Sequence, residues 1–191
     1  MTAASAPRAH RPSDDELLAS LRAEDLSSLG VLFDRYALDV RRFIARLGVA
    51  PGDVDDLTQT TFLIVLDVAS RYRGTQPARN WLFGLAVNAV REHRRMSARI
   101  ARKLAAWSRE PHPATARTLA ESLEQREESA RAARAIGRLS PKKREVFVMV
   151  AMEGIPAETT AEALGIPVGT VWTRLHHARR ELRVHLAEER P

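Results

Sequence analysis

Apolar residues recur along most of this chain at spacings of three and four, the period of one face of an α-helix. Ser13 is placed to cap a first helix, with Asp14, Asp15 and Glu16 in its first turn, where carboxylates suit the helix dipole. Leu17, Leu18 and Leu21 form its apolar face. A second helix carries Leu29, Leu32, Phe33, Tyr36, Val40, Phe43, Ile44 and Leu47 as a continuous buried stripe, and Gly48 stops it. Asp53 is expected to cap a third helix, with Val54, Leu57, Thr61, Phe62, Val65 and Leu66 turned inward. The stretch Arg71 to Asn80 contains Gly74 and Pro77 and reads as a loop. A fourth helix is predicted from about Ala78 to Lys103, opening on Trp81, Leu82 and Leu85. No segment alternates with period two, so no sheet is expected.

Residues 108–118 hold two prolines within three positions and no apolar stripe, the composition of a linker. Beyond them a helix is expected from Leu119 to Arg138, with Leu119, Leu123, Ala130, Ala133 and Ile136 on its face. Ser140-Pro141 sets a cap followed by proline at the first helical position. The helix it starts carries Val146, Phe147 and Val150 and ends near Gly154. The predicted fold is all-α, in two small helical domains joined by a flexible linker. The expected boundaries are a disordered tail over 1–12, domains over 13–105 and 120–190, and a linker over 106–119.

The second domain has helix-turn-helix grammar. Glu158 to Leu164 forms a short helix with the small Ala161 at the point of close approach, and Gly165-Ile166-Pro167 makes the turn. A last helix runs from Val168 to about Glu188. Val171, Leu175, Ala178, Leu182 and Leu186 are its expected buried stripe, and Trp172, Thr173, His176, His177 and Arg180 its outward face.

Charge changes this picture. The 191 residues carry 30 basic and 24 acidic groups, a net +6. Residues 71–109 alone hold ten basic groups and one acidic, a net +9, whereas residues 139–191 stand at only +1. A basic block concentrated on one helix is the electrostatic footprint of a polyanion binder. Cysteine is absent, which removes disulfides, thiol catalysis and Cys-based zinc sites. The six histidines show no metal-ligand spacing, and there is no phosphate-binding Gly-rich loop or nucleophile elbow. The expectation is therefore no enzyme, no cofactor, no metal and no small-molecule substrate. The longest apolar run, Asn80 to Val90, has eleven residues against the roughly 20 that span a bilayer, and the N-terminus lacks a signal-peptide core. These features point to the cytoplasm.

Two blocks in the first half and two in the second carry a resemblance. They are Asp53-Val54-Asp55-Asp56-Leu57-Thr58-Gln59-Thr60-Thr61-Phe62 and Trp81-Leu82-Phe83-Gly84-Leu85-Ala86-Val87-Asn88, then Leu139-Ser140-Pro141-Lys142-Lys143-Arg144-Glu145-Val146-Phe147 and Gly169-Thr170-Val171-Trp172-Thr173-Arg174-Leu175-His176-His177-Ala178-Arg179. In this order the chain resembles the extracytoplasmic-function (ECF) sigma factors of bacterial RNA polymerase, over about Leu29 to Leu186. The resemblance implies region 2 of the family in the first domain and region 4 in the second. It implies that Asp55, Asp56 and Gln59 face the clamp of the largest polymerase subunit, and that the flap of the second subunit is a further contact. Asn88 matches the position that reads a flipped base of the minus-ten element, for which an amide offers both donor and acceptor. Arg91, Arg94 and Arg95 would hold phosphates of the melted strand. Thr170, Trp172, Thr173, Arg174, His176 and His177 would meet the minus-thirty-five duplex.

The chain also departs from the family pattern. Trp172 and His177 stand where basic residues are common, which weakens phosphate attraction and flattens the salt dependence. Ala157, Thr159 and Thr160 replace residues that are usually aromatic, acidic and aliphatic, and Thr160 at a core position is expected to loosen its helix. Thr60 stands where Glu is common. The resemblance further implies an anti-sigma partner, which can hold the factor at the inner membrane. The competing reading is an autonomous helix-turn-helix regulator that binds duplex DNA without polymerase. Such a protein needs neither the Asp55-Asp56-Gln59 helix nor the Trp81 to Arg95 block.

Overall fold

A computed structural model describes residues 11–23, 25–105 and 123–188. The expected linker over 106–119, Leu119 and most of the expected tail lie outside these residues. The described residues form helices only: α1 (Asp14–Arg22), α2 (Ser27–Arg46), α3 (Val54–Val68), α4 (Ala78–Ala105), α5 (Leu123–Arg138), α6 (Pro141–Val146), α7 (Ala157–Leu164) and α8 (Val168–Glu188). The all-α expectation holds for them. Helix α6 runs on into a π-helical segment, Phe147–Met152.

Helix α1 starts as its sequence dictates. Ser13 accepts from the Glu16 amide, and the Glu16 carboxylate accepts from the Ser13 amide at 2.6 Å, a complete capping box. Two other expected caps do not form. Asp53 already has a helical backbone at the end of a 3-10 turn, Pro51–Asp53, so its carboxylate makes no cap bond and lies 3.2 Å from His93 Nε2 instead. Ser140 has an extended backbone with Pro141 at the first helical position, but its hydroxyl caps nothing.

In the first half α2, α3 and α4 pack on one another, with α1 against α2. Their interior holds Leu32, Val40, Phe43, Ile44, Phe62, Val65, Leu82, Phe83 and Val87, and the rings of Phe43 and Phe83 stack at 4.2 Å. Three large residues of the expected core are exposed. Phe33 and Leu66 each lie one position round the helix from a buried neighbour, Leu32 and Val65, and emerge at the edge of the bundle. Leu186 lies past the small cluster of Ala135, Leu139, Ala178 and Leu182, while Val171 and Leu175 of the same stripe join the larger core. On α5 the inward positions are Ala135 and the half-buried Ile136, while Ala133 faces solvent.

Gly48 ends α2 in a left-handed conformation, φ +77°. It also leaves room for another chain segment, because a Cβ there would overlap the Arg144 guanidinium. Arg144, itself buried, donates to Ile136, Gly137 and Leu139 at the end of α5 and to Leu47 at the end of α2. One guanidinium thus satisfies the carbonyls that two helix C-termini leave unpaired. Burial, foremost, pulls its pKa below the ordinary arginine value, and the neighbouring Arg94 adds to that.

The two halves share one apolar interior. Val146, Val148, Met149, Ile155, Ala157, Leu164 and Val171 belong to the same buried cluster as the first-half core. Thr160 is fully buried within the second half, and its hydroxyl has no hydrogen-bond partner. A hydroxyl buried without a partner costs about 1–3 kcal/mol. Thr160→Val, which keeps the shape, is expected to stabilise the chain by about 1 kcal/mol in urea unfolding; an unchanged or lower midpoint would show that the hydroxyl is satisfied in solution.

Candidate nucleic-acid interface

Helix α4 presents the basic block. Asn88 and Arg95 are exposed and stand seven residues apart, two turns along one face. Arg95 makes an exposed pair with Glu92 at 3.2 Å. Arg91 and Arg94 are half-buried and turn toward the second half. Arg91 donates through Nε at 3.1 Å and Nη2 at 2.7 Å to one oxygen of Glu145, and through Nη1 to the Leu164 carbonyl at 3.1 Å. Arg94 donates to the Leu47 carbonyl and lies 3.6 Å from Glu145. Burial, foremost, pulls the Arg94 pKa below its ordinary value and the nearby Arg91 charge pulls the same way, while the Glu145 carboxylate opposes both. The three arginines of the sequence reading therefore divide into one on the surface, paired with its helix neighbour Glu92, and two half-buried beside Glu145.

Trp81 is half-buried and packs on Tyr72, with ring centroids 5.3 Å apart. Burial, with help from Asp15, raises the Tyr72 hydroxyl to about 12.

The helix-turn-helix forms as its sequence requires. Gly165 ends α7 at φ +62°, and the amides of Gly165 and Ile166 return to the carbonyls of Glu162 and Ala161. Ala161, Leu164, Val171 and Leu175 are buried. On α8 the outward residues divide: Trp172, 53% exposed, Thr173 and His176 lie open, while Thr170, Arg174 and His177 are half-buried. The Thr173 hydroxyl bonds back to the Gly169 carbonyl at 2.9 Å. The rings of His176 and His177 meet edge-on at 5.9 Å, and no cluster of metal-ligating side chains occurs among the described residues.

Asp55, Asp56 and Gln59 lie exposed on α3, and Leu63 and Leu66 extend that face with apolar surface. Asp55 pairs with Arg41 Nε at 2.6 Å.

Sequence reasoning missed a set of ion pairs between the halves. The Glu153 side chain, 4% exposed, receives Arg46 and Arg79, the latter at 2.7 Å. Arg79 also reaches Asp39 at 3.2 Å and lies 4.4 Å over the Phe83 ring. A signal was present: Glu145 precedes the apolar run Val146-Phe147-Val148-Met149 directly, a place where a carboxylate is buried only if it is paired.

A basic helix beside a helix-turn-helix, both on one all-α chain, defines a class of DNA-binding transcription factors. The comparisons narrow this class. Residues 32–100 match the family described as sigma-70 region 2, and residues 129–182 match sigma-70, region 4. The chain is similar to the ECF RNA polymerase sigma factor SigC of Mycobacterium tuberculosis, 30% identical over 183 residues covering 94% of this chain and 95% of SigC. It is also similar to the RNA polymerase sigma factor CnrH of Cupriavidus metallidurans, 28% identical, covering 90% of this chain and 94% of CnrH. A solved structure of CnrH in complex with the cytosolic domain of CnrY superposes with a TM-score of 0.66 at 26% identity, covering 93% of this chain and 99% of CnrH. The chain belongs to the ECF sigma factors of RNA polymerase.

Proposed function

We propose that this sigma factor divides promoter recognition between its halves. Residues 13–105 bind polymerase core through Asp55, Asp56 and Gln59 at the clamp of the largest subunit. The same domain melts the minus-ten element, where Asn88 reads an unstacked base and Arg91, Arg94 and Arg95 hold the strand. Residues 120–190 read the minus-thirty-five duplex through Thr170, Trp172, Thr173, Arg174, His176 and His177 and meet the flap of the second subunit. Residues 106–119 tether the two. The observation that carries this reading is the shared open face of Asn88 and Arg95 on the one strongly basic helix of a chain that also holds a helix-turn-helix.

The solved relative CnrH is in complex with the cytosolic domain of CnrY. By analogy this chain works in the cytoplasm and is restrained by an anti-sigma protein, with sequestration at the inner membrane where that protein is anchored. No helix among the described residues is long and apolar enough to cross a membrane. The protein acts by binding, without catalysis of its own.

A gel shift on a cognate promoter, with and without core polymerase, tests the reading. A promoter-specific complex is expected only with core. An equally specific complex from the chain alone would favour an autonomous duplex-binding regulator. The phosphate role is tested in the same complex: Arg94→Ala with Arg95→Ala should lower the slope of log K against log salt by about 1.4, at roughly 0.7 per single-strand phosphate. An unchanged slope would remove these two residues from the interface.

A further inference from the structure

One exposed face of α8 changes character along its length. Val168, Trp172, His176, Arg179 and Arg183 follow one another at spacings of four, four, three and four, and all are exposed. The first two turns of this face are apolar: Val168 is 40% and Trp172 53% exposed, against 0% for the intervening Val171. Between Glu162 and Arg174 no residue is charged. Arg174 itself is half-buried and lines a cavity of about 530 Å³ with Glu145, Leu164 and Ile166. The Thr173 hydroxyl donates to the Gly169 carbonyl at 2.9 Å, so Thr173 has a methyl and an acceptor oxygen left to offer. The exposed cations of α8 begin about two turns beyond Trp172, at Arg179 and Arg180. Neighbouring exposed apolar side chains with no charge between them mark a surface that is covered in use.

We infer that this end of α8 reads thymine through its C5-methyl group, with Val168 and Trp172 as the specificity-determining side chains. The inference rests on the reading of the minus-thirty-five duplex proposed above and names the chemistry by which that duplex is chosen. In a helix-turn-helix the N-terminal residues of the second helix meet the base edges in the major groove. Of the groups displayed there, the thymine methyl is apolar and the others are hydrogen-bond donors and acceptors. Guanine is read by an arginine fork, and no arginine is exposed in the first turns of α8. Val168 and Trp172 match the thymine methyl, whereas they would cover the polar edge of guanine or cytosine and leave it unpaired. Arg179 and Arg183, further along the same face, are available for phosphates, which position the helix and carry no sequence information. Affinity for the element should therefore fall with salt while the preference for thymine does not.

The test uses holoenzyme assembled from core polymerase and the full chain. Duplexes are selected by binding from a pool in which the upstream promoter element is random. The selected element is expected to hold at least one T·A pair. Each of its thymines is replaced in turn by deoxyuridine, which removes the methyl and keeps the pairing. Binding should fall about three- to fivefold at one or two positions, the effect of exposing one buried methyl. Holoenzyme carrying Trp172→Ala should respond to the same replacement by less than about 1.5-fold, because the partner of the methyl is gone. Trp172 is exposed, so the helix content of this variant by circular dichroism should be unchanged. Selection with Trp172→Arg should move the preferred base from thymine toward guanine. Deoxyuridine tolerated at every selected thymine overturns the inference and leaves the minus-thirty-five reading standing. Deoxyuridine sensitivity that persists in both Trp172→Ala and Val168→Ala overturns the assignment to these two side chains. A pool that yields no preferred upstream sequence overturns the reading of that element by α8, and the thymine contact with it.

Discussion

Asn88→Ala is expected to reduce open-complex formation by the holoenzyme by about ten- to a hundredfold. A base contact through a side-chain amide is worth about 1–3 kcal/mol, and the role proposed for Asn88 is such a contact with a base that has left the stack. Duplex binding through the minus-thirty-five element should change less than about twofold, because the contact proposed for it is on α8. Asn88 is exposed, so the fold should lose no more than about 0.5 kcal/mol. Permanganate reactivity of minus-ten thymines reads the opening, and a gel shift on duplex carrying only the upstream element reads the other step. An equal loss in both assays would contradict the division of labour between the halves.

Arg144→Ala is expected to cost about 3 kcal/mol of stability, the largest structural effect of any single substitution considered. It deletes a buried guanidinium that donates to four carbonyls and leaves the ends of α5 and α2 without that partner. For a chain of this size the thermal midpoint should fall by roughly 10 °C. Arg144→Lys should recover only part of this, since an ammonium cannot spread its donors in a planar fork. Urea unfolding monitored by helix content checks both variants. A loss below about 1 kcal/mol for the alanine variant would mean that water replaces the guanidinium at both helix ends.

The helices of this protein were legible because their burial is local and periodic. The capping box of Ser13 and Glu16, the stop at Gly48, the turn at Gly165 and the span of α8 from Val168 to Glu188 all follow from residue type and spacing. The misplacements occur where burial depends on a neighbour distant in sequence. Phe33 and Leu66 match the apolar period of their helices, yet no helix among the described residues covers them on the outer side. Asp53 has the chemistry of a cap, but the proline turn before α3 gives it a helical backbone. Thr160 was legible as an anomaly and is one, with a buried hydroxyl that nothing pairs.

The charged residues show the same limit more sharply. A run of arginines on α4 announces a polyanion surface, but the sequence does not reveal which of them already hold a carboxylate. Arg95 is exposed, with only a surface pair to Glu92, and Arg91 is half-buried on Glu145, although they are four residues apart on one helix. The partner that distinguishes them, Glu145, lies 54 residues from Arg91 along the chain. In the same way Arg46 and Arg79 read as ordinary surface cations until the fold brings Glu153 between them. The net charge of the first domain thus overstates how many of its arginines are without a carboxylate partner.

The central claim is that this chain confers promoter specificity on RNA polymerase core and opens the DNA with its first domain. Run-off transcription from a cognate promoter, with core polymerase and the purified chain, tests it most directly. The account predicts a discrete transcript that requires the chain and is strongly reduced by Asn88→Ala. A transcript of equal yield from core without the chain, or full yield from the Asn88→Ala variant, would contradict it.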